Sequence, residues 1–335
     1  MSHAIQAGVP ALILAPMEGV TDAPMREFLT ELGGIDFCVT EFLRISQNAL
    51  NAKVIRKHMP EINRGCRTRS GVPVQLQLLG GNAELLAETA TAAVAAGVLS
   101  IDLNFGCPAP TVNRHDGGAT ILKYPERLRS IIEEVKRAVP KNTPVSAKLR
   151  LGWESVDDID HNAVMAVEGG ADWITIHGRT RVQGYQPPAW WTKIAETKRR
   201  VHPLPVIANG EIWTLDDFKR CRDETKCEHF MIGRSALADP QLSMEIQNEL
   251  KAQLNCSVQN ANYFEQNDLY EKKNWANWLA RYSEIAMRDY LSDQAAGSRI
   301  KQWLRYAKMK QNLSWFDEVK TLPTSNAIVH SLLKN

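Results

Sequence analysis

The sequence predicts an α/β chain, a (β/α)8 TIM barrel followed by a small all-helical C-terminal domain. Three observations predict it. Short apolar runs recur eight times before Asp239-Pro240, helical segments separate them, and no such run follows. Near-continuous rather than alternating apolarity suits a parallel sheet covered by helices. Eight units suit a closed barrel, with a doubly wound open sheet as the other arrangement to weigh. At 335 residues the chain holds one large and one small domain, expected at 1–245 and 246–335.

The runs follow in order, each with its C-terminal neighbour. Ala11–Leu14 leads into Ala15-Pro16-Met17-Glu18-Gly19, Asp36–Thr40 into Glu41, and Val72–Leu78 carries Gln77. After an alanine-rich helix over Ala83–Ala96, Ser100–Asn104 breaks at Gly106 and Pro108 into a loop that holds Cys107 and closes on Gly117-Gly118. A helix over Pro125–Ala138 precedes Pro144–Leu149, which carries Lys148. Val156–Glu168 is helical, and Trp173–Ile176 runs into His177-Gly178-Arg179-Thr180. Leu204–Ala208 meets Asn209-Gly210-Glu211, Asp216–Cys221 is a short helix, and Phe230–Ile232 ends at Gly233-Arg234.

Barrel chemistry gathers at the C-terminal ends of the strands. Taken singly, each of these residues has a plain structural role. Cys107 is a small buried hydrophobe, His177 a satisfied core histidine, Lys148 a snorkelling side chain, and Asn209-Gly210 a turn. Together they form a set that a barrel built for stability alone does not need. Asn209-Gly210 and Gly233-Arg234 lie where barrel phosphate sites usually lie. Gln77 can pair with the amide edge of a ring, and Lys148 can face the charge a reduced flavin accumulates. The set therefore fits FMN, and the lack of G-x-G-x-x-G after an early strand argues against a Rossmann-type NAD site.

Composition narrows the class further. Forty Lys and Arg against 38 Asp and Glu leave a net charge of +2, so any nucleic-acid surface must be local. Six cysteines without C-x-x-C or paired Cys/His spacing predict reduced thiols and no metal. The N-terminal stretch lacks a basic n-region, its apolar run is cut by Pro16, and no run nears the roughly 18 apolar residues of a spanning helix. A cytoplasmic, monomeric protein without membrane contact is expected.

The strand-end motifs carry a resemblance. Ala15-Pro16-Met17-Glu18-Gly19-Val20-Thr21-Asp22, Leu103-Asn104-Phe105-Gly106-Cys107-Pro108, Lys148-Leu149-Arg150, His177-Gly178-Arg179-Thr180, Asn209-Gly210 and Gly233-Arg234 resemble the tRNA-dihydrouridine synthases. Leu149-Arg150-Leu151-Gly152-Trp153, Gln183-Gly184-Tyr185 and Arg299-Ile300-Lys301-Gln302-Trp303-Leu304 are closest to the bacterial DusC branch. The resemblance implies an FMN barrel, a helical tRNA-binding domain, and NADPH as transient reductant. It implies that Pro16, Met17, Glu18, Gln77, Lys148, His177, Asn209, Gly210, Glu211, Gly233 and Arg234 hold FMN. Cys107 would give a proton to C5 of a uracil whose C6 receives hydride, with Asn104 and Tyr185 orienting the base. Phe105 and Ala109-Pro110 depart from common family choices, inside the loop of Cys107.

Past Asp239-Pro240, Asn255–Asn267 is rich in Asn and Gln and reads as a linker. From Lys272 the pattern is helical, with Trp275, Trp278, Ile285, Met287, Ile300, Leu304 and Ala307 as core. Arg299 to Lys310 carries five basic residues and no acid, with Lys301, Arg305 and Lys308 on one face. The resemblance assigns Arg44, Arg299, Lys301, Tyr306 and Lys320 to orienting tRNA so that uridine 16 is delivered. A barrel reductase of a free pyrimidine or small alkene, and a tRNA chaperone without catalysis, are the competing readings.

Overall fold

The computed structural model describes residues 3–253, 272–311 and 313–334. The expected linker at Asn255–Asn267 lies outside the described residues. Eight parallel strands form a closed barrel in sequence order: β1 (Ala11–Leu14), β2 (Phe37–Arg44), β3 (Val74–Leu79), β4 (Ile101–Phe105), β5 (Val145–Arg150), β6 (Ile174–His177), β7 (Val206–Asn209) and β8 (His229–Ile232). Closure is direct, since β1 pairs with β8 from Ala11↔His229 to Leu14↔Ile232, and this excludes the open sheet.

Several strands end one residue later than their apolar runs. Phe105, Arg150, His177 and Asn209 are last strand residues, not the first residues of loops. β2 runs on to Arg44, so Glu41 is internal to it. Its register with β3 shifts between Val39 and Phe42, leaving Thr40 and Glu41 opposite one partner residue. In this bulge the Gln77 N–H donates to Thr40 Oγ1 at 3.0 Å, replacing the lost ladder bond.

The first compact unit comprises residues 1–16 and 35–232. Three of its helices begin at a capping side chain, Asn51, Asn82 or Thr214. In chain order all of its helices follow α1 (Ala23–Leu32), which lies outside this unit: α2 (Ala52–His58), α3 (Ala83–Ala96), α4 (Pro110–Asn113), α5 (Pro125–Ala138), α6 (Asp158–Glu168), α7 (Trp191–Arg200) and α8 (Leu215–Thr225). Asn82 caps α3 by accepting from the Leu85 N–H, and Gly97 ends it in the left-handed region. Pro125 opens α5, whose Leu128, Ile131, Ile132 and Val135 are buried at helical spacing. Ile13, Phe37, Val39, Trp173, Ile207 and Met231 form one apolar cluster, with Phe37 edge-on to Trp173 at 6.2 Å.

The second unit joins residues 17–34 to 233–335, so the compact units do not divide after residue 245. It holds α1, α9 (Arg234–Ala238), α10 (Leu242–Gln253), α11 (Lys272–Asp289), α12 (Asp293–Ala307), α13 (Phe316–Val319) and α14 (Ser325–Leu333). The reason is α1, capped by Asp22, whose buried Phe28 packs against Tyr282 at 6.1 Å and Trp303 at 5.1 Å. Trp275 lies 5.4 Å from Trp303, and Trp303 donates to Leu237 O at 2.8 Å, so these aromatics are core. Among the described residues no helix is long and apolar enough to cross a membrane.

Candidate active site

The strands place a run of polar side chains on the barrel's inner face. Gln75 and Gln77, Asp102 and Asn104, and Ser146, Lys148 and Arg150 each recur at a spacing of two. Adjacent registers match them: Gln77↔Asp102, Asp102↔Ser146, Asn104↔Lys148, Arg150↔His177 and His177↔Asn209. Nearly all are buried.

Cys107 is a half-buried, reduced thiol just beyond β4. Asn104 holds its loop through Oδ1, which accepts from Gly106 N–H at 3.0 Å and Cys107 N–H at 2.9 Å. Gly118 closes the loop in the left-handed region at φ +59°. A Cβ there would stand 2.9 Å from Cys107 O and 3.0 Å from Cys107 Cβ, so only glycine fits. On its other side, Asn104 Nδ2 donates to Gln77 Oε1 at 2.8 Å, and Gln77 Nε2 donates to Asp102 Oδ2 at 2.6 Å.

Lys148 Nζ donates to Asn209 Oδ1 at 3.0 Å, and Asn209 Nδ2 donates to Met231 O at 2.9 Å. Desolvation, then the Arg150 guanidinium, pull the Lys148 ammonium down to about 8, against the opposing charge of Asp102. Burial pushes the Asp102 carboxyl up, while donors from Ser146 and Gln77 and the Lys148 charge pull it back. His177 meets Arg179 Nη1 through Nε2 at 3.1 Å, and its ring lies 6.1 Å from that of Tyr185. Gly210, at φ +112°, leaves room for it, since a Cβ would stand 2.7 Å from His177 Cδ2. Glu211 is ion-paired with the buried Arg179.

Asp102 and Arg150 belong to this site; Arg150 stands within the resembling motifs but was given no role, and Asp102 lies outside them. Arg150 Nε donates to Gly106 O at 2.8 Å, and its Nη1 donates to Thr180 O at 3.0 Å and Gly184 O at 2.7 Å. Its guanidinium also lies 5.3 Å from the Tyr185 ring. One buried cation thus ties the Cys107 loop to the exposed Tyr185. The signal was available, for Asp102 and Arg150 stand two residues from Asn104 and Lys148, on the same inward faces.

The remaining candidates are placed as follows. Pro16 follows β1 in the chain, and Arg44 is the last residue of β2. Met17 and Glu18 precede α1, Gly233 caps α9, and Arg234 begins it, all within the second unit. Arg299 bonds Gly19 O and pairs with Asp22 at 3.2 Å, so the acid missing from the local sequence arrives from far along the chain. Lys301 Nζ donates to Leu322 O at 3.1 Å, and Lys320 pairs with Asp317 at 2.8 Å. Tyr306 is half-buried on α12, and Arg305, one residue before it, is exposed.

A closed parallel barrel with polar groups converging at its strand ends defines an enzyme-like architecture that many chemistries share. The sequence matches the Dihydrouridine synthase (Dus) family over residues 13–326, and the chain belongs to that family. It is 43% identical over 295 residues to a tRNA-dihydrouridine(16) synthase of Pseudomonas putida, covering 88% of this chain and 86% of the relative. The Shewanella oneidensis enzyme of the same name is 39% identical, covering 96% of both chains. That of Haemophilus influenzae is 40% identical, covering 94% of this chain and 96% of the relative. Among solved structures, DHODH from Eimeria tenella superposes with a TM-score of 0.54 at 12% identity, over 73% of this chain and 81% of that one. Histamine dehydrogenase from Rhizobium sp. 4-9 gives 0.56 at 13% identity, over 82% and 49%. These two likenesses concern the fold.

Proposed function

We propose that this chain is a tRNA-dihydrouridine synthase that reduces uridine 16 of the tRNA D-loop, using bound FMN and NADPH. The observation that carries the reading is a reduced cysteine fixed at a strand end of a family barrel, beside converging polar side chains. The donor set fits a flavin. Gln77 spends one amide hydrogen on Asp102 and one lone pair on Asn104, which leaves a donor and an acceptor for a ring edge. Lys148, with a pKa of about 8, is a cation at neutral pH and suits an anionic ring. His177, Asn209, Gly210, Glu211 and Pro16 complete the ligands proposed within the barrel unit. Met17, Glu18, Gly233 and Arg234 are proposed on the resemblance alone.

The chemistry supplied by bound FMN, once reduced by NADPH, is a hydride for C6 of the uracil. Cys107 delivers a proton to C5, where the added hydride leaves negative charge. Asn104 keeps one amide hydrogen for the base, and Tyr185 packs against it. The uridine must leave its stack to reach the thiol, as bases do in other modifying enzymes. Arg44, Arg299, Lys301, Tyr306 and Lys320 serve the tRNA, whose shape and phosphates are read rather than its sequence. The helical unit is the proposed tRNA-binding part of a monomeric, cytoplasmic enzyme.

Cys107→Ala tests the assignment of the proton donor. Flavin absorbance, reduction by NADPH and tRNA binding should persist, while dihydrouridine formation falls by roughly 10²–10⁴-fold, the range for a lost general acid. Undiminished product formation would remove Cys107 from the mechanism.

A further inference from the structure

We infer that Asp102 is a positioning residue for Cys107, acting through the side-chain amides of Gln77 and Asn104. The chain of bonds has two fixed ends. At one end Asp102, 2% exposed, accepts from Ser146 Oγ at 2.5 Å and Gln77 Nε2 at 2.6 Å. At the other end the backbone N–H groups of Gly106 and Cys107 demand an oxygen, and Asn104 Oδ1 supplies it. Between them, Asn104 Nδ2 meets Gln77 Oε1 at 2.8 Å. An amide presents a donor at one end and an acceptor at the other, so turning either amide turns the next. The acceptor at Asp102 therefore sets the direction of both amides, and with it the oxygen that anchors the thiol loop. All three side chains are 8% exposed or less, so a misdirected amide meets no water that would mend it.

Leucine at position 102 removes the acceptor outright, whereas asparagine keeps or loses it with its orientation. With its nitrogen toward Gln77, both amides reverse and Asn104 points a donor at two backbone donors. With its oxygen toward Gln77, both amides keep their direction and only the Ser146 hydroxyl, which already accepts from Gln75 Nε2 at 3.1 Å, loses its acceptor. Exchanging the groups repairs the chain. In Asp102→Asn with Gln77→Glu, the asparagine accepts from Ser146 and donates to the glutamate, whose second oxygen accepts from Asn104. The buried negative charge moves by one side chain and the net charge is kept.

The inference takes Cys107 as the reactive group from the proposed function, but its test needs neither tRNA nor NADPH. The measurement is the rate at which iodoacetamide alkylates Cys107 in the purified full-length protein, followed by peptide mass spectrometry. The buried Cys38, Cys66, Cys221 and Cys227 report on intact folding in the same samples. Asp102→Leu, which leaves no acceptor for Gln77, should alkylate about fivefold faster, the equivalent of one lost hydrogen bond. Ser146→Ala, which leaves Asp102 an acceptor, should stay near the parent rate, and the exchanged pair should return to it. Should Asp102→Leu unfold, Gln77→Met, which cuts the chain midway, gives the same readout. An unchanged rate in Asp102→Leu, or an exchanged pair as fast as or faster than the single variant, overturns the inference. Failure of uridine reduction would leave these rates untouched.

Discussion

Lys148 shows what the site demands of a single residue. Its ammonium sits among Asn209, Arg150 and Asp102 on the inner face of the barrel, and desolvation leads the fall of its pKa to about 8 from 10.5. The native protein therefore binds a proton here less readily than the unfolded chain does. Between pH 8 and 10.5 the unfolded state holds more protons at this position, so stability rises with pH across that window. Below pH 8 both states are protonated and the penalty of the buried charge is fully present. Lys148→Met removes this dependence. In the cofactor-free protein, the unfolding free energy of wild type relative to Lys148→Met should climb from pH 8 to 10, measured by urea titration. A difference that stays flat or falls contradicts a desolvated ammonium at Lys148. A group held at such a cost is expected where an anionic ligand offsets it.

At the scale of elements, the eight strands were legible because strands buried on both faces are apolar almost throughout. Their ends were less legible, for an exact physical cause: the last inward residues of β5, β6 and β7 are Arg150, His177 and Asn209, which look like loop in a one-dimensional reading. The same polarity made the site conspicuous, and the motif residues Gln77, Asn104, Cys107, Lys148, His177 and Asn209 were all visible as a set. Asp102 and Arg150 were hidden because their importance lies in partners on neighbouring strands. α1 was hidden for a similar reason, since its place is decided by Tyr282 and Trp303, more than 250 residues away. Trp303 tests that packing. It is 1% exposed and touches Phe28, Trp275 and Tyr282. Trp303→Ala should cost the helical unit about 3–5 kcal/mol in a denaturant titration. A loss under about 1 kcal/mol, the scale of a surface substitution, would mean the aromatic cluster is not its core.

At the scale of the whole molecule, two units divide the proposed work. The barrel unit carries Cys107 and its anchoring amides, and the helical unit carries Arg299, Lys301, Tyr306 and Lys320. The basic character of the Arg299 to Lys310 segment was visible in the sequence, but the pairing of Arg299 with Asp22 was not, because those residues lie at opposite ends of the chain. The family and its relatives make dihydrouridine the expected product and uridine 16 the expected position. The most direct test is to incubate the purified protein with NADPH and unmodified tRNA and to map the product by mass spectrometry. A gain of two hydrogens confined to uridine 16 is expected. A gain at another uridine contradicts the position, and no gain despite a flavin that NADPH reduces contradicts the reaction itself.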